Sequence, residues 1–343
     1  VAASDDTGTV TLKNLASSAL TISDDNALAG GAGDLEAVIV DTVDDATMTL
    51  TIGANKNAAT ATSANFTSLT ITDADSITLK TSGGGFGNLL DHDIESLVLD
   101  DDETTSLTID TAAYTSLETG AITGSEGLAS LSVSSTGAES DVTVDGLATA
   151  DGLTSLSIDA SGLNAAIDVG QIGDVDDAEV AILDSISVTA SNGGDANIQG
   201  NADGEEGDIN TAEDLTSITI SATGAGSTVT AGQIWADGLD AGAVSISASA
   251  GGVVDMETDT EADDIINYGF SSLSLSATGT DSAINASDLA QDAGSLAAAT
   301  EADITIEADN GASITLGTAA FGAVDIGTLH IGVGEDAVLN DTE

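Results

Sequence analysis

The chain has 343 residues and a formal net charge of −56, because 59 Asp and Glu residues are balanced by only three Lys or Arg residues. It has no Cys and no Pro, and 41% of its residues are hydrophobic but only 2% are aromatic. The lack of Cys excludes a disulfide scaffold. The lack of basic clusters argues against a nucleic-acid partner, since phosphate binding depends on Lys and Arg. The hydrophobic fraction disfavours a disordered acidic chain.

The apolar residues are mostly Ala, Val, Leu and Ile. We therefore expect a long, thin core of small aliphatic side chains, because bulky globular cores are normally anchored by aromatic rings. No apolar run of 18 residues occurs, and the sequence predicts no insertion into a membrane. Residue 1 is Val, which we interpret as the start of a processed or partial chain without its secretion signal.

Residues 1–60 come first in chain order and are predicted to form N-terminal coils that serve as a cap or an assembly segment. Apolar and polar residues alternate here, as at Val38/Val40 and Met48/Leu50/Ile52, but the repeat that follows is missing. Two of the three lysines, Lys13 and Lys56, lie in this segment. The ends of a repeat protein expose unpaired strands, which must be capped or used for pairing.

Residues 61–343 contain a loose repeat of roughly 29 residues, in which an apolar residue and two small polar residues precede an apolar–polar alternation. We anchor the copies on one apolar residue each, and successive anchors are 25 to 34 residues apart. The anchors are Leu69, Leu97, Leu131, Leu156, Ile186, Ile218, Val244, Leu273, Ile304 and Leu329. A second alternation follows most anchors, as at Ile77/Leu79 and Val142/Val144.

Alternation with a period of two residues predicts strands with one buried face. Two or three short strands per repeat, joined by turns rich in Gly, Asp, Asn and Ser, predict an all-β fold: a parallel β-helix, or β-solenoid, of about ten to twelve irregular coils and roughly 50 Å in length. A string of β-sandwiches is disfavoured, because the chain has a single Trp, Trp235. The best short helix candidates are 174–183 and 287–299.

The outward positions of the first strand in each repeat are predicted to form a ladder of Ser and Thr. The predicted triplets are Ser68/Thr70/Thr72, Ser130/Ser132/Ser134, Ser217/Thr219/Ser221 and Ser272/Ser274/Ser276. A flat ladder of this type would suit ice or another surface, although Ser is common in it and the coil lengths vary. The alternative is a face that is solvated, glycosylated or packed on a neighbour.

Clusters of acidic residues in the turns predict several Ca²⁺ sites, because hard cations take six to eight oxygen ligands from carboxylates and carbonyls. The alternative for each cluster is a solvated acidic surface. A charge of −56 nevertheless needs bound cations, high salt or both. The candidate ligands are Asp73 and Asp75; Asp100, Asp101, Asp102 and Glu103; Asp174, Asp176 and Asp177; Asp203, Glu205, Glu206 and Asp208; and Asp263 and Asp264.

An enzyme is not expected. The two histidines, His92 and His330, are far apart in sequence, and no Gly-x-Ser-x-Gly motif marks a nucleophile. Carboxylate pairs could hydrolyse glycosides, but sugar sites usually carry stacking aromatic rings, which this chain nearly lacks. We interpret Asp91-His92-Asp93 as a surface turn or, less readily, as a metal ligand set.

The repeated Leu-Thr-Ser-Leu-x-Ile segments, the turns rich in Asp, Gly, Thr and Ala, the absence of Cys and Pro and the acidity resemble bacterial surface-layer proteins and related β-strand-repeat adhesins. The resemblance covers roughly residues 60–343. It implies a secreted structural protein at the cell surface, whose assembly with copies of itself, and with cell-surface polysaccharide as a further partner, depends on Ca²⁺. Both a layer and a filament of stacked rods fit this expectation.

Two alternative interpretations of the protein's role remain consistent with the sequence. One is a monomeric adhesin stalk or a surface-binding solenoid, which includes an ice-binding protein. The other is a protein of a halophile, whose acidity serves only to keep it hydrated in brine.

Overall fold

A computed structural model describes residues 2–3, 9–16, 18–24, 37–54, 64–82, 89–99, 104–124, 126–147, 152–172, 183–198, 209–211, 216–232, 234–236, 241–256, 265–267, 270–286, 302–316 and 326–341. These residues contain no helix, and therefore none that would span a bilayer. The helix candidates at 174–183 and 287–299 fall outside them, apart from Leu183, which is not helical.

The described residues form thirty strands. The first fifteen are β1 (Ala2–Ala3), β2 (Thr9–Leu15), β3 (Ala19–Asp24), β4 (Ala37–Ala54), β5 (Asn65–Phe66), β6 (Leu69–Ser82), β7 (Leu90–Ile94), β8 (Leu97–Val98), β9 (Ser106–Thr111), β10 (Thr115–Thr119), β11 (Ile122–Thr123), β12 (Ser130–Ser135), β13 (Asp141–Leu147), β14 (Ser155–Ala160) and β15 (Ala166–Ile172). The others are β16 (Ser185–Ser191), β17 (Asp195–Ile198), β18 (Ile209–Thr211), β19 (Ser217–Thr223), β20 (Thr228–Ala231), β21 (Ile234–Ala236), β22 (Ala241–Ser249), β23 (Val253–Asp255), β24 (Ile265–Asn267), β25 (Phe270–Thr278), β26 (Ala283–Ala286), β27 (Ala302–Asp309), β28 (Ser313–Leu316), β29 (Ile326–Val333) and β30 (Val338–Asp341).

All strand pairs are parallel, and they stack into three ladders that run along the axis of the solenoid. Ladder 1 contains β1, β3, the second half of β4 and of β6, and then β9, β12, β14, β16, β19, β22, β25, β27 and β29. Ladder 2 contains β5, β7, β10, the first part of β13 and β15, and then β17, β20, β23, β26, β28 and β30. Ladder 3 contains β2, the first half of β4 and of β6, β8, β11, the ends of β13 and β15, β18, β21 and β24.

Each coil follows the order ladder 1, ladder 2, ladder 3, and this confirms the predicted all-β parallel solenoid. The number of coils differs slightly from the ten to twelve predicted. About seven coils, between residues 76 and 267, have a strand in all three ladders within the described part of the chain. Within the described chain, ladder 1 continues past them in both directions to thirteen stacked strands.

The core lies inside the three ladders and consists of columns of aliphatic side chains. In ladder 1 the inward residues of β12 and β14 are Leu131 and Val133, then Leu156 and Ile158, and none of the four is more than 1% exposed. β-Branched and aliphatic residues suit this half-buried pleated surface. Successive coils stack at the interstrand distance of about 4.8 Å, so each side chain packs on its equivalent in the next coil.

The residue type at the third inward position of the ladder 1 strands changes along the rod. At this position, Ile52 in β4 is followed on the next strands of ladder 1 by residues with hydroxyl groups. Alanine then occupies the position in six successive strands, β14, β16, β19, β22, β25 and β27. In the hydroxyl-bearing coils, buried side chains hydrogen-bond one another, as Ser135 Oγ does with Ser140 Oγ at 2.7 Å. These hydrogen bonds satisfy polar groups that would otherwise be buried unpaired.

The register corrects the first two repeat anchors. Leu69 pairs with Leu97 in ladder 3, whereas Leu131 pairs with Leu107 in ladder 1. The ladder 1 partners of the later anchors are therefore Ile77 and Leu107, which the repeat had assigned to a second strand. The error arose because strands of ladders 1 and 3 show the same alternation and both begin after small polar residues.

The strands before residue 60 pair in the same ladders as those that follow. Residues 55–63 lie outside the described chain, so the boundary between a segment 1–60 and a solenoid 61–343 stays a prediction. Glycines permit the tight corner between ladders 2 and 3. A Cβ at Gly170 would overlap the backbone oxygen of Asp145 in the preceding coil.

Candidate functional site

Most of the predicted cation ligands lie outside the described residues. This applies to Asp100, Asp101, Asp102, Glu103, Asp174, Asp176, Asp177, Asp203, Glu205, Glu206, Asp208, Asp263 and Asp264. In sequence, they lie between strands of ladders 2 and 3 or between strands of ladders 3 and 1. Their role in binding Ca²⁺ stays a prediction.

Asp73 and Asp75 are described, and both lie at the bend of β6 where ladder 3 turns into ladder 1. Asp73 has a left-handed backbone with φ of 60°. The carbonyl of Asp75 accepts the N–H of Thr105 at 2.9 Å, and its Oδ1 accepts the Thr105 hydroxyl at 2.8 Å. Asp75 thus links two successive coils. Among the described residues, no group of three or more His, Asp or Glu side chains is placed to hold a metal ion.

The densest group of carboxylates in the described chain lies on the outer surface of ladder 2. We call this group the acidic face. Its members are Asp91, Asp93, Glu118, Asp141, Asp168 and Asp195. They occupy two columns on five successive strands, β7, β10, β13, β15 and β17. In one column Asp91, Asp141 and Asp195 alternate with uncharged residues, and in the other Asp93 and Glu118 are neighbours while Asp168 lies two strands beyond Glu118.

The sequence analysis missed this face because its members are spread over about a hundred residues and form no cluster in the sequence. The available signal was alternation, since each acidic residue adjoins a buried one. Val142 and Ile167, for example, are buried beside Asp141 and Asp168.

The carboxylates of the acidic face repel one another. Burial and the neighbouring charge of Asp168 raise the pKa of Asp141 above its usual value, with smaller contributions from Asp91 and Glu118, against a backbone hydrogen bond at Val142 that lowers it. Burial and Asp168 also raise the pKa of Asp195. A raised carboxylate pKa means that the folded protein favours the protonated form of Asp141 and Asp195.

Two buried oxygens, one on the acidic face and one beside it, accept no hydrogen bond from the described part of the chain. They are Oδ1 of Asp141 and Oδ1 of Asn197. Nδ2 of Asn197 donates to Oδ1 of Asp168 at 2.7 Å, whereas Oδ1 of Asn197 has no donor among the described residues. A buried oxygen without a donor is costly unless water or a cation reaches it.

The outer surface of ladder 1 carries the predicted Ser and Thr columns, and we call it the hydroxyl face. The triplets that begin at Ser130, Ser217 and Ser272 lie there in register. The triplet that begins at Ser68 does not, because Thr70 and Thr72 belong to ladder 3. Hydroxyls on neighbouring strands contact each other, as Ser247 does when it donates to Ser221 at 3.0 Å.

The hydroxyl face also carries carboxylates, namely Asp110, Asp159, Asp303, Glu307 and Asp309. Lys80 pairs with Asp110 on the next strand, with 3.3 Å between Nζ and Oδ2, and both side chains are partly exposed. Near the other end, Nε2 of His330 lies 3.4 Å from Oε1 of Glu307. Carboxylates therefore lie on the outer surfaces of both ladder 1 and ladder 2.

His92 contradicts the expectation of a surface turn. It lies in the middle of β7 with its side chain fully buried, between Leu90 and Ile94 on the inward side. The N–H of Ala64 in the preceding coil donates to Nδ1 of His92 at 3.1 Å. Nε2 has no partner among the described residues. Burial lowers the pKa of His92 to about 4, although the charge of Asp91 opposes the shift.

Comparisons of the chain with protein-family profiles, with curated proteins and with solved structures find no match. Function is therefore argued from the geometry and the charge of the solenoid.

Proposed function

We propose that this chain is a secreted structural subunit that assembles with copies of itself into a cell-surface layer or an extracellular filament. Ca²⁺ ions held by acidic turns and by the acidic face would link the copies. The observation that carries the proposal is the acidic face, where carboxylates lie on five successive strands and where burial, together with the charge of Asp168, raises the pKa of Asp141 and Asp195.

A straight β-solenoid is a suitable building block, because its outer residues repeat at fixed intervals of about 4.8 Å. Two such rods with uncompensated carboxylates repel each other in water. A divalent cation needs six to eight oxygen ligands, more than one acidic pair supplies, so it gains by taking ligands from two copies. Calcium would thereby convert repulsion into attraction.

The proposal is tested by calcium titration of the purified chain, followed by sedimentation and negative-stain electron microscopy. We expect ordered polymers with Ca²⁺ and their dissolution by EGTA. K⁺ at matched ionic strength serves as the control, because it screens charge without bridging. Polymers that persist in EGTA at low salt would contradict the calcium-dependent link.

A comparison of K⁺ with Ca²⁺ also distinguishes calcium-linked assembly from a halophilic protein that needs salt only for hydration. A chain that needs brine only for hydration would be stabilised by K⁺ as well as by Ca²⁺, and neither ion would polymerise it. A difference between the two ions at equal ionic strength supports specific calcium sites.

A second candidate function is a monomeric adhesin stalk or a surface-binding solenoid, which the hydroxyl face favours. Its regular Ser and Thr columns present the same groups on successive strands. Such a protein would stay monomeric in size-exclusion chromatography both with and without Ca²⁺. A flat surface ligand, including ice, would then be the target, and an ice-recrystallisation assay would test that case.

A further inference from the structure

Three asparagines of the chain begin an Asn-x-Ser/Thr motif, which is the acceptor for N-linked glycans in secreted proteins. The motifs are Asn65-Phe66-Thr67, Asn285-Ala286-Ser287 and Asn340-Asp341-Thr342. The chain has fifteen asparagines, and the other twelve lack a Ser or Thr two positions later. Motifs this short also arise by chance in a chain rich in Ser and Thr, so their position in the fold is the decisive observation.

All three motif asparagines lie in one column on the outer surface of ladder 2. The column runs in continuous register through eleven strands, from β5 to β30, and we call it the polar column. Each of its members is Asn, Asp, Glu or Thr, and its asparagines are Asn65, Asn197, Asn285 and Asn340. Motifs that are far apart in the sequence therefore line up in the fold.

The motif side chains point away from the core. Asn285 lies in β26 between Ile284 and Ala286, which are at most 2% exposed. Because side chains alternate along a strand, Asn285 faces the outer surface. Asn65 and Asn340 share its column, and both are at least partly exposed. A glycan on any of the three would extend into solvent and leave the core columns intact.

The surroundings of the motif asparagines are compatible with a sugar. Beside Asn285 and Asn340, the outward residues of β26, β28 and β30 have short side chains, namely Ala283, Ser313, Thr315 and Val338. Oδ1 of Asn65 is buried. This burial does not oppose attachment, because a glycan is linked to Nδ2 and the amide oxygen keeps its place.

Asn197 is the one asparagine of the polar column that begins no motif, because Ile198 and Gln199 follow it. Its Nδ2 donates to Oδ1 of Asp168 on the preceding strand at 2.7 Å. A glycan on this nitrogen would disrupt the hydrogen bond to a carboxylate of the acidic face. Asn197 therefore provides an internal control in the same column.

We propose that Asn65, Asn285 and Asn340 are attachment sites for N-linked glycans. This inference rests on the proposed secretion of the chain, because secreted chains receive such glycans. The donor is an oligosaccharide linked through phosphate to a lipid. A bond forms between Nδ2 of Asn and C1 of the first sugar, and the bond between C1 and the phosphate oxygen breaks. The lipid phosphate leaves, and Nδ2 releases a proton.

The glycans would border the acidic face on both sides along the rod. Asn65 lies one strand before Asp93, and Asn285 lies three strands beyond Asp195. Sugars at these positions would keep neighbouring rods apart along the rest of ladder 2. Cation-bridged contacts through ladder 2 would then be confined to the acidic face between the glycans.

The test is glycopeptide mapping by mass spectrometry of the chain isolated from the cells that secrete it. We expect a glycan on Asn65, Asn285 and Asn340 and none on Asn197. Peptide N-glycosidase F removes N-linked glycans and converts each linked Asn to Asp, so it marks the occupied positions. Unmodified asparagine at one position removes that site, and unmodified asparagine at all three overturns the proposal.

A pair of neighbouring variants tests recognition through the motif. Thr67→Ala removes the motif hydroxyl and leaves Asn65 in place, whereas Ser68→Ala removes the next hydroxyl and leaves the motif intact. We expect Thr67→Ala to lose one glycan and Ser68→Ala to keep all three. The glycosidase should abolish the difference in mobility between the two variants on a denaturing gel. Equal glycan content in both variants would contradict attachment at Asn65.

Failure of this inference is distinguishable from failure of the proposed function, because glycans are detected on the single chain without assembly. Unmodified asparagines in a chain that polymerises with Ca²⁺ would overturn the glycan sites and preserve the structural role. Glycans on the three asparagines of a chain that stays monomeric in Ca²⁺ would support the sites and overturn the calcium link.

Discussion

His92 shows how one buried residue sets the response of this protein to acid. Its pKa in the folded chain is about 4, below the ordinary 6.5, because burial disfavours the charged imidazole. Above pH 6.5 the residue is neutral in both states and its ionisation contributes nothing. As the pH falls from 6.5 to 4, the unfolded chain takes up a proton that the folded chain refuses, so stability falls. The full loss is roughly 3 kcal/mol.

We expect His92→Asn to remove this loss, because Asn does not titrate and its oxygen can replace Nδ1 as the acceptor for Ala64. His92→Leu should remove it as well, since Leu117 occupies the same column in the next coil. The Leu variant should, however, lose about 1–3 kcal/mol at pH 7, because the N–H of Ala64 is left without an acceptor. Urea unfolding between pH 7 and pH 4 measures both effects. A difference in unfolding free energy between each variant and the wild type that stays the same from pH 7 to pH 4 would contradict the lowered pKa of His92.

The position of His92 was within reach of the sequence. Leu90, His92 and Ile94 alternate with Asp91 and Asp93, which places the histidine on the apolar side of a strand. The two flanking aspartates suggested a turn instead, because acidic residues are common in turns. The partner of His92 could not have been predicted, since Ala64 lies a full coil away and the length of that coil varies.

At the level of the strand ladders, the carboxylates of the acidic face destabilise the folded chain because they repel one another. We expect Asp141→Asn to raise the free energy of unfolding at pH 7 and low salt without Ca²⁺, because it removes a carboxylate whose pKa is raised by burial and by Asp168. The gain should shrink as the pH falls through the folded pKa, where Asp141 becomes protonated and uncharged. Urea unfolding at two pH values measures this dependence.

The control for Asp141 is Asp110→Asn on ladder 1. Asp110 pairs with Lys80, so its removal should leave stability unchanged or slightly lower. Equal gains from both variants would show that only net charge matters. Asp141→Asn should also weaken polymerisation in Ca²⁺ if the acidic face holds the cation, whereas Asp110→Asn should not.

The strands were predictable from the sequence, and their pairing was less so. Alternation around Leu131, Leu156 and Leu273 identified strands that pack as expected. The same rule aligned Leu97 with Leu131, although Leu107 is the partner. Periodicity identifies a buried face but does not distinguish one side of a solenoid from another. The acidic face was missed for the same reason, because its members meet only through register.

For the molecule as a whole, the core and the charge occupy different places. Aliphatic columns fill the interior along all three ladders, and the carboxylates described here lie on outer surfaces. The fold therefore keeps the described carboxylates out of the core, but these charges still repel one another on the outer surface. This division explains how a chain with few aromatic residues and almost no cations forms a continuous core.

The last prediction concerns salt. We expect the urea midpoint of unfolding to rise with NaCl, because ions screen repulsion among the carboxylates. The rise should be incomplete at physiological salt, where the Debye length of about 8 Å still exceeds the interstrand spacing of about 4.8 Å. CaCl₂ at the same ionic strength should raise the midpoint further, since a bound ion neutralises neighbouring carboxylates directly. Sub-polymerising protein concentrations keep the measurement on single chains. Equal midpoints in the two salts would mean that screening alone stabilises the rod, and that its acidic face holds no calcium.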